Sequence, residues 1–150
     1  MEIIIRDGGV KDINGMLPLL EQLFAIEADF NFDPEVQARG LRMMLDGCGK
    51  HRAVKVACSK NKIIGMCTAQ TRISTAQGKI SAAVEDLVIN PAYKRLGIGT
   101  RLLEAVEDWA KKRGVISLSL LADKDNHKGL AFYKAGNWRP TSLACWIKSI

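Results

Sequence analysis

The chain has 150 residues, of which 47% are apolar and 25% charged, values typical of one globular domain spanning residues 1–150. No apolar run approaches the roughly 18 residues of a membrane span, and the first residues lack the features of a signal peptide, so we expect a cytoplasmic protein. The net charge of +6 does not predict a nucleic-acid-binding domain, because the basic residues are not interleaved with aromatic ones.

The first third of the chain predicts one strand and two helices. Residues 3–5 form the strand, and Asp12 is expected to cap a helix whose apolar residues follow a 3.6-residue period. Pro18 either kinks this helix or marks its true start, because proline inside a helix costs about 3 kcal/mol. Asp33 followed by Pro34 is a typical helix start, and this second helix should end at Gly47.

The remainder of the chain predicts strands first and then a strand–helix–strand unit. We expect strands at 53–59, 63–74, 81–90 and 116–121, helices at 98–113 and about 126–136, and last strands from Trp138 and from 141–147. Strands joined by short turns pair antiparallel, whereas a strand reached through a helix pairs parallel. The pattern therefore predicts a mixed α/β sheet with helices on both faces.

The four cysteines do not indicate a metal or disulfide site. They form no Cys-x-x-Cys pair, and only two histidines accompany them. Cys58 and Cys67 lie inside apolar strands, where a thiol is normally a small core residue. We expect no bound metal.

A glycine-containing loop follows the predicted strand 81–90. Lys94 and Arg95 are basic, Gly97 and Gly99 are spaced by one residue, and Thr100 lies in the first turn of an amphipathic helix. Bare backbone N–H groups at the positive end of a helix bind a pyrophosphate, and a glycine lets it approach the backbone. The sequence therefore predicts a phosphate-binding site at this helix start.

Two common phosphate-binding motifs do not fit this loop. The dinucleotide-binding motif requires a third small residue where this chain has Leu102. The Walker motif ends in Gly-Lys-Ser or Gly-Lys-Thr, whereas Gly99 is followed by Thr100 and Arg101.

The loop resembles the acetyl-CoA loop of the GNAT N-acetyltransferase superfamily, in which a Gln or Arg precedes x-x-Gly-x-Gly/Ala. Lys94 departs from that pattern, because it keeps the charge but lacks the planar fork of arginine. The segment from Asn126 to Trp138 is similar to the family's Asn-x4-Ala-x-Tyr-x2-Gly-x-aromatic segment. Asn126 is a good N-cap there and Gly136 a good helix terminator.

The resemblance implies a mostly antiparallel central sheet in which a splayed pair of parallel strands, 81–90 and 116–121, admits the cofactor. It also implies that acetyl-CoA is the acyl donor and that an amine is the acceptor. The residues expected to bind the cofactor are Leu87, Val88, Ile89, Lys94, Arg95, Leu96, Gly97, Ile98, Gly99, Thr100 and Asn126.

Two side chains are candidates for proton transfer in a direct acetyl transfer. Tyr133 matches the tyrosine that family members use as general acid, and a phenol with a pKa of about 10 can share a proton with a thiol of about 8.5. Glu85 is the candidate base and should share a strand face with Ala83 and Leu87. Asp86 is expected to form a structural bond, and ordered water or Asp86 remains an alternative proton acceptor.

The sequence leaves the identity of the acceptor open. Residues 27–33 carry acidic and aromatic groups that could receive a cationic amine, although Asp33 is expected to serve as a helix cap. Antibiotics, polyamines, amino acids, other metabolites and protein amines all remain candidates. The alternative function is a catalytically weak acyl-CoA-binding or sensing module, and a homodimer through the apolar residues 143–147 is conceivable.

Overall fold

A computed structural model describes residues 1–27 and 30–150 of the chain. The chain forms two units, residues 1–119 and 120–150, which are described separately. In chain order the elements are β1 (Ile4–Asp7), α1 (Ile13–Ile26), α2 (Pro34–Asp46), β2 (Arg52–Ser59), β3 (Lys62–Ser74), β4 (Lys79–Ile89), α3 (Ile98–Lys112), β5 (Leu118–Leu120) and α4 (His127–Ala135).

The five strands form one mixed sheet in the order β1-β2-β3-β4-β5. Strands β1 to β4 pair antiparallel with their neighbours. The segment that leads into β5 runs parallel to β4, because Ile116 N donates to Ile80 O and Ala82 N donates to Ser117 O, both at 3.1 Å. The predicted mixed fold is confirmed, and Lys60 and Asn61 form the tight β2–β3 turn with φ of 48° and 63°.

Helices cover both faces of this sheet, as two adjacent residues of β3 demonstrate. A Cβ added at Gly65 would lie 3.3 Å from Leu102 Cδ1 and 3.4 Å from Ile98 Cγ2 of α3. The side chain of Met66 belongs instead to the core cluster that includes residues of α1 and α2. Because successive side chains of a strand point to opposite faces, α3 packs on one face and α1 with α2 on the other.

Helix α3 is amphipathic as predicted, with one buried apolar stripe. All of its members are less than a tenth exposed: Ile98, Leu102, Val106, Trp109 and Ala110. Within residues 1–27 and 30–150, the helices are all too short or too polar to cross a membrane.

The structure of α1 corrects the predicted cap at Asp12 and decides between the two alternatives for Pro18. Asp12 precedes the helix, but its side chain does not cap it. The carboxylate accepts instead from both terminal nitrogens of Arg6, at 2.8 and 2.9 Å, and from Gly9 N at 2.9 Å. A short 3-10 turn at residues 10–12 places Asp12 for these bonds, and α1 then continues through Pro18 without a break.

Helix α2 follows the prediction at both ends. Asp33 Oδ1 accepts a hydrogen bond from Glu35 N at 3.1 Å, Pro34 occupies the first helical position, and Gly47 is the C-cap.

The predicted last strands are wrong. Residues 137–150 contain no strand, although they are apolar at Leu143, Trp146 and Ile147. These three side chains are 86–93% exposed. A strand requires backbone hydrogen bonds to a neighbouring strand, and an apolar sequence does not supply them.

Candidate active site

A turn at the end of β4 leads the chain into the predicted phosphate-binding loop. Asn90 Oδ1 accepts a hydrogen bond from Ala92 N at 3.0 Å, and the 3-10 turn Pro91–Tyr93 follows. Arg95 and Gly97 then adopt left-handed backbone conformations with φ of 64° and 73°. The second of these positions favours glycine, and α3 begins immediately after it at Ile98.

The start of α3 has no side-chain cap from its N-cap residue. Gly97 is the N-cap and contributes no side-chain hydrogen bond, so the first-turn N–H groups have no cap from this residue. Ile98 is 2% exposed and anchors the turn, whereas Lys94, Arg95 and Thr100 are exposed.

The residues of this loop fit the phosphates of acetyl-CoA. A Cβ added at Gly97 would meet no atom within 4 Å, so the space in front of the helix start is open. The helix dipole and the two cations Lys94 and Arg95 both favour an anion at that point.

A β-bulge interrupts β4 next to the candidate base. Glu85 lies opposite Thr68 and Val88 lies opposite Met66, so Asp86 and Leu87 together face the single residue Cys67. Asp86 has a φ of 53°, a left-handed conformation that aspartate tolerates better than most residues. The bulge shifts the alternation of β4 by one residue.

The bulge corrects the predicted face of Glu85. Directly opposed residues of an antiparallel pair lie on the same face, and Met66 and Thr68 are two residues apart. Glu85 therefore shares its face with Ala83, as predicted, and with Val88 rather than Leu87. This is the face covered at its other end by α1 and α2, and Glu85 is exposed on it.

Asp86 forms the structural bond that the sequence predicts. Its Oδ2 accepts a hydrogen bond from Thr68 Oγ1 at 2.9 Å, and the same hydroxyl lies 3.2 Å from Glu85 O. Burial raises the pKa of Asp86, with a smaller contribution from the charge of Glu85, and the bond from Thr68 opposes the shift. Thr68 was not identified from the sequence, because no local pattern indicates a bond between residues so far apart.

Gln22 is a second residue that the sequence did not reveal. Asn90 N donates to Ile64 O at 2.7 Å, a bond that makes Ile89 and Gly65 a non-hydrogen-bonded pair. The backbone groups of Ile89 therefore point away from β3, and its carbonyl accepts from Gln22 Nε2 of α1 at 2.9 Å. Helix α1 is thus bonded to the end of the strand that leads into the phosphate-binding loop.

Tyr133 and Asn126 both lie in the second unit, residues 120–150. Asn126 Oδ1 accepts from Gly129 N at 3.1 Å, so the predicted N-cap of α4 is confirmed. The ring of Tyr133 makes edge contacts with Phe132 and Trp138, at centroid distances of 5.5 and 6.1 Å. Gly136 ends the helix as predicted.

The cysteines and the acidic segment add little to the site. Cys58 and Cys67 are buried as predicted, and burial raises the pKa of the Cys67 thiol to about 12, so it is protonated at neutral pH. Among residues 1–27 and 30–150, no group of His, Cys, Asp and Glu could hold a metal ion. Asp29, part of the predicted amine-binding segment, lies outside the described residues, and Phe30 stacks on Phe24 with ring centroids 5.4 Å apart.

Comparison with known proteins decides the family. A model described as the acetyltransferase (GNAT) family matches residues 19–136. The chain belongs to this family. The match runs through α1, the bulged strand β4, the phosphate-binding loop and α4.

Curated relatives of this GNAT chain share about a third of the aligned residues. An aminoglycoside N(6')-acetyltransferase type 1 from Acinetobacter genomosp. 13 is 32% identical over 88 residues, which cover 57% of this chain and 60% of that protein. An acetyl transferase from Oryza sativa subsp. japonica is 29% identical over 80 residues, 49% of this chain and 19% of that protein. The chain therefore spans less than two thirds of the length of both relatives.

Solved structures share the fold at low sequence identity. A transcriptional regulator from Bacillus halodurans C-125 has a TM-score of 0.85 at 22% identity, covering 99% of this chain and 100% of that one. An aminoglycoside N-acetyltransferase in complex with CoA has a TM-score of 0.85 at 16% identity, and the match covers 99% of this chain and 95% of that one.

Proposed function

We propose that this GNAT protein is an acetyl-CoA-dependent N-acetyltransferase that transfers the acetyl group directly to a primary amine. The observation that carries the proposal is the start of α3, where the left-handed Gly97 opens the helix N-terminus to an anion beside Lys94 and Arg95. Under this proposal residues 1–150 act as one acetyltransferase domain, with the cofactor bound by residues 87–89, 94–100 and Asn126. It acts in the cytoplasm, where acetyl-CoA is available.

The transfer needs two proton movements, and one side chain is assigned to each. Glu85 accepts the proton of the ammonium group, so that the amine lone pair attacks the thioester carbonyl. The carbon–sulfur bond then breaks, and Tyr133 donates its hydroxyl proton to the departing thiolate. Backbone N–H groups near the bulge of β4 polarise the thioester oxygen.

A direct transfer is supported by the state of the buried thiol. Burial raises the pKa of the Cys67 thiol to about 12, so this side chain is protonated at neutral pH and is not a candidate nucleophile. The proposed reaction proceeds without an acyl-enzyme.

Two measurements test the proposal. Acetyl-CoA should raise the melting temperature and bind with a dissociation constant between low micromolar and submillimolar. A panel of amines, comprising aminoglycosides, polyamines, amino acids and peptides, should then release CoA from acetyl-CoA in the presence of at least one acceptor. Binding without CoA release for any amine favours the acyl-CoA-binding module instead, and the absence of binding overturns both functions.

The oligomeric state of this protein is a separate expectation. The exposed apolar residues Leu143, Trp146 and Ile147 favour a homodimer. Light scattering after size-exclusion chromatography, compared between the wild type and Trp146→Ser, tests it.

A further inference from the structure

One face of the sheet changes from apolar to polar along β3 and β4. Met66 and Val88 lie in the core cluster beneath α1 and α2. Beyond them on the same face, the register continues through the opposed pairs Thr68–Glu85, Gln70–Ala83, Arg72–Ser81 and Ser74–Lys79. We call the exposed members of these pairs, Gln70, Arg72, Lys79 and Glu85, the polar face.

Arg72 extends across this polar face. Its Nη2 donates to Ser119 Oγ at 2.8 Å, and because β4 lies between β3 and β5, the side chain crosses β4 to make this bond. A guanidinium carries five N–H donors, so a single bond to a serine hydroxyl leaves others available. Ser119 thus holds the guanidinium over the strand that carries Glu85.

The spacing of Arg72 and Glu85 limits what can bridge them. Arg72 lies opposite Ser81, four residues before Glu85, so the two positions are roughly 13 Å apart along the strand. The two side chains close part of this distance. An acceptor that bridges them therefore carries its two groups several bonds apart.

The charges of the polar face favour an anion at its far end. Arg72 and Lys79 are exposed there, and Arg52 of β2 lies opposite Gln70 with its Nη1 donating to Met43 O at 3.1 Å. Among the four residues of the polar face, Glu85 is the one that carries a carboxylate. A polyamine would meet repulsion at the cations, whereas a carboxylate can pair with a guanidinium through two parallel hydrogen bonds.

We propose that Arg72 binds a carboxylate of the amine acceptor while the acceptor's amine reaches Glu85. The acceptor class is then primary amines that carry a carboxylate several bonds from the amine, such as ω-amino acids and short peptides. This inference rests on the proposed acetyl transfer and names the substrate of that same site. Arg72 is the residue that determines its specificity.

Three acceptors of similar length test the inference with the full chain and acetyl-CoA: ε-aminocaproate, its carboxamide and cadaverine. A charge-assisted hydrogen bond contributes about 1.5–3 kcal/mol, so kcat/KM for ε-aminocaproate should exceed that for the carboxamide roughly tenfold or more. Arg72→Gln should remove this preference by raising KM for ε-aminocaproate, with the carboxamide unaffected. Arg72→Lys should retain part of the preference, and Arg113→Gln, which removes an exposed charge at the end of α3, should retain all of it.

The outcomes separate this inference from the proposed function. Equal turnover of ε-aminocaproate and its carboxamide, or a preference for cadaverine, overturns the role of Arg72. If other amines are acetylated but none of these three is, the role of Arg72 is also overturned, whereas the proposed acetyl transfer is retained. No turnover of any amine, despite a thermal shift with acetyl-CoA, overturns the acetyl transfer and the inference with it. The thermal shift of Arg72→Gln with acetyl-CoA reports whether the variant is folded.

Discussion

Glu85 and Asp86 are adjacent in sequence but lie in opposite environments. The side chain of Glu85 is exposed on the polar face, where an incoming amine can meet it. The carboxylate of Asp86 is bonded to Thr68 and desolvated, which raises its pKa. A proton acceptor needs access to the substrate, and a residue that braces a bulge needs fixed partners. We therefore propose Glu85 as the base, whereas the bond from Thr68 gives Asp86 a bracing role.

Glu85→Gln should lower the rate of acetyl transfer most at mildly acidic pH. An ammonium group is hardest to deprotonate there, so the loss of the base has its largest effect. The pH profiles of kcat/KM for the variant and wild type should diverge as the pH falls, with acetyl-CoA affinity unchanged. Glu104→Gln, at an exposed position of α3, is the matched control. An unaltered profile would assign the proton to water or Asp86.

Tyr133→Phe should retain the fold and the cofactor affinity but lose turnover by about 100-fold, the lower end of the range for a placed proton donor. Only the hydroxyl is removed, so the ring contacts with Phe132 and Trp138 persist. The other tyrosine of the chain supplies the control, Tyr93→Phe, which should leave kcat unchanged.

A second measurement on Tyr133→Phe distinguishes chemistry from misfolding. When the acyl donor carries a more acidic leaving thiol, its thiolate departs without receiving a proton. The rate loss of Tyr133→Phe should therefore be smaller with that acyl donor. Full activity of the variant with acetyl-CoA would rule out the general-acid role.

At the scale of elements, the start of α3 depends on its neighbours before and after it. The turn after β4 and the left-handed Gly97 lead the chain into the first helical turn, while the buried side chains of Ile98 and Leu102 pack the helix against the sheet. The site is therefore a consequence of how one helix begins, and it should be sensitive to charge and bulk at that point.

Gly99→Glu should abolish acetyl-CoA binding, because it places bulk and negative charge at the pyrophosphate position. Isothermal titration calorimetry and thermal shift measure the loss. Gly40→Glu is the matched control: it adds the same charge at a helical glycine of α2, where a Cβ meets no atom within 4 Å. Thr100→Ala should have a small effect. Undiminished binding by Gly99→Glu would mean that the phosphates lie elsewhere.

At the scale of the whole molecule, two carboxylates should change stability with pH in opposite directions. Asp12 is 6% exposed, and its hydrogen bonds to Arg6 lower its pKa. The contribution of Asp12 to the free energy of unfolding is complete above the pKa of an aspartate in the unfolded chain, about 3.9. It is lost as the pH falls through the lower pKa of Asp12 in the folded protein. Asp86 has a raised pKa, so its charged form costs stability at neutral pH, and the protein recovers that stability as the pH falls.

Asp12→Asn should therefore destabilise the protein at pH 7 by about 1–3 kcal/mol, and the difference should narrow in acid. Asp86→Asn should stabilise it at pH 7, because an amide removes the buried charge, still accepts from Thr68 and tolerates the left-handed conformation. Chemical denaturation of both variants at a series of pH values, with Asp108→Asn as an exposed control, measures this. If both substitutions changed the free energy of unfolding at neutral pH in the same direction, the opposite pKa shifts of Asp12 and Asp86 would be contradicted.

The sequence by itself determined the features that depend on near neighbours. The caps at Asp33 and Asn126, the buried stripe of α3 and the glycine loop before it all appear where their local patterns predict them. Such patterns can be recognised in a sequence because the hydrogen bonds of a helix join residues of the same segment, and a cap bonds to residues two or three positions away.

Only the tertiary structure decided what distant residues do to one another. The bulge in β4 separated Glu85 from Leu87, which were predicted to share a face, and the Thr68–Asp86 bond lies at this bulge. The bond from Gln22 to Ile89 joins residues 67 positions apart. Residues 143–147 are apolar enough for a strand, yet none forms there. Hydrogen bonds across strands depend on which backbone lies alongside, and a local pattern carries no information about that partner.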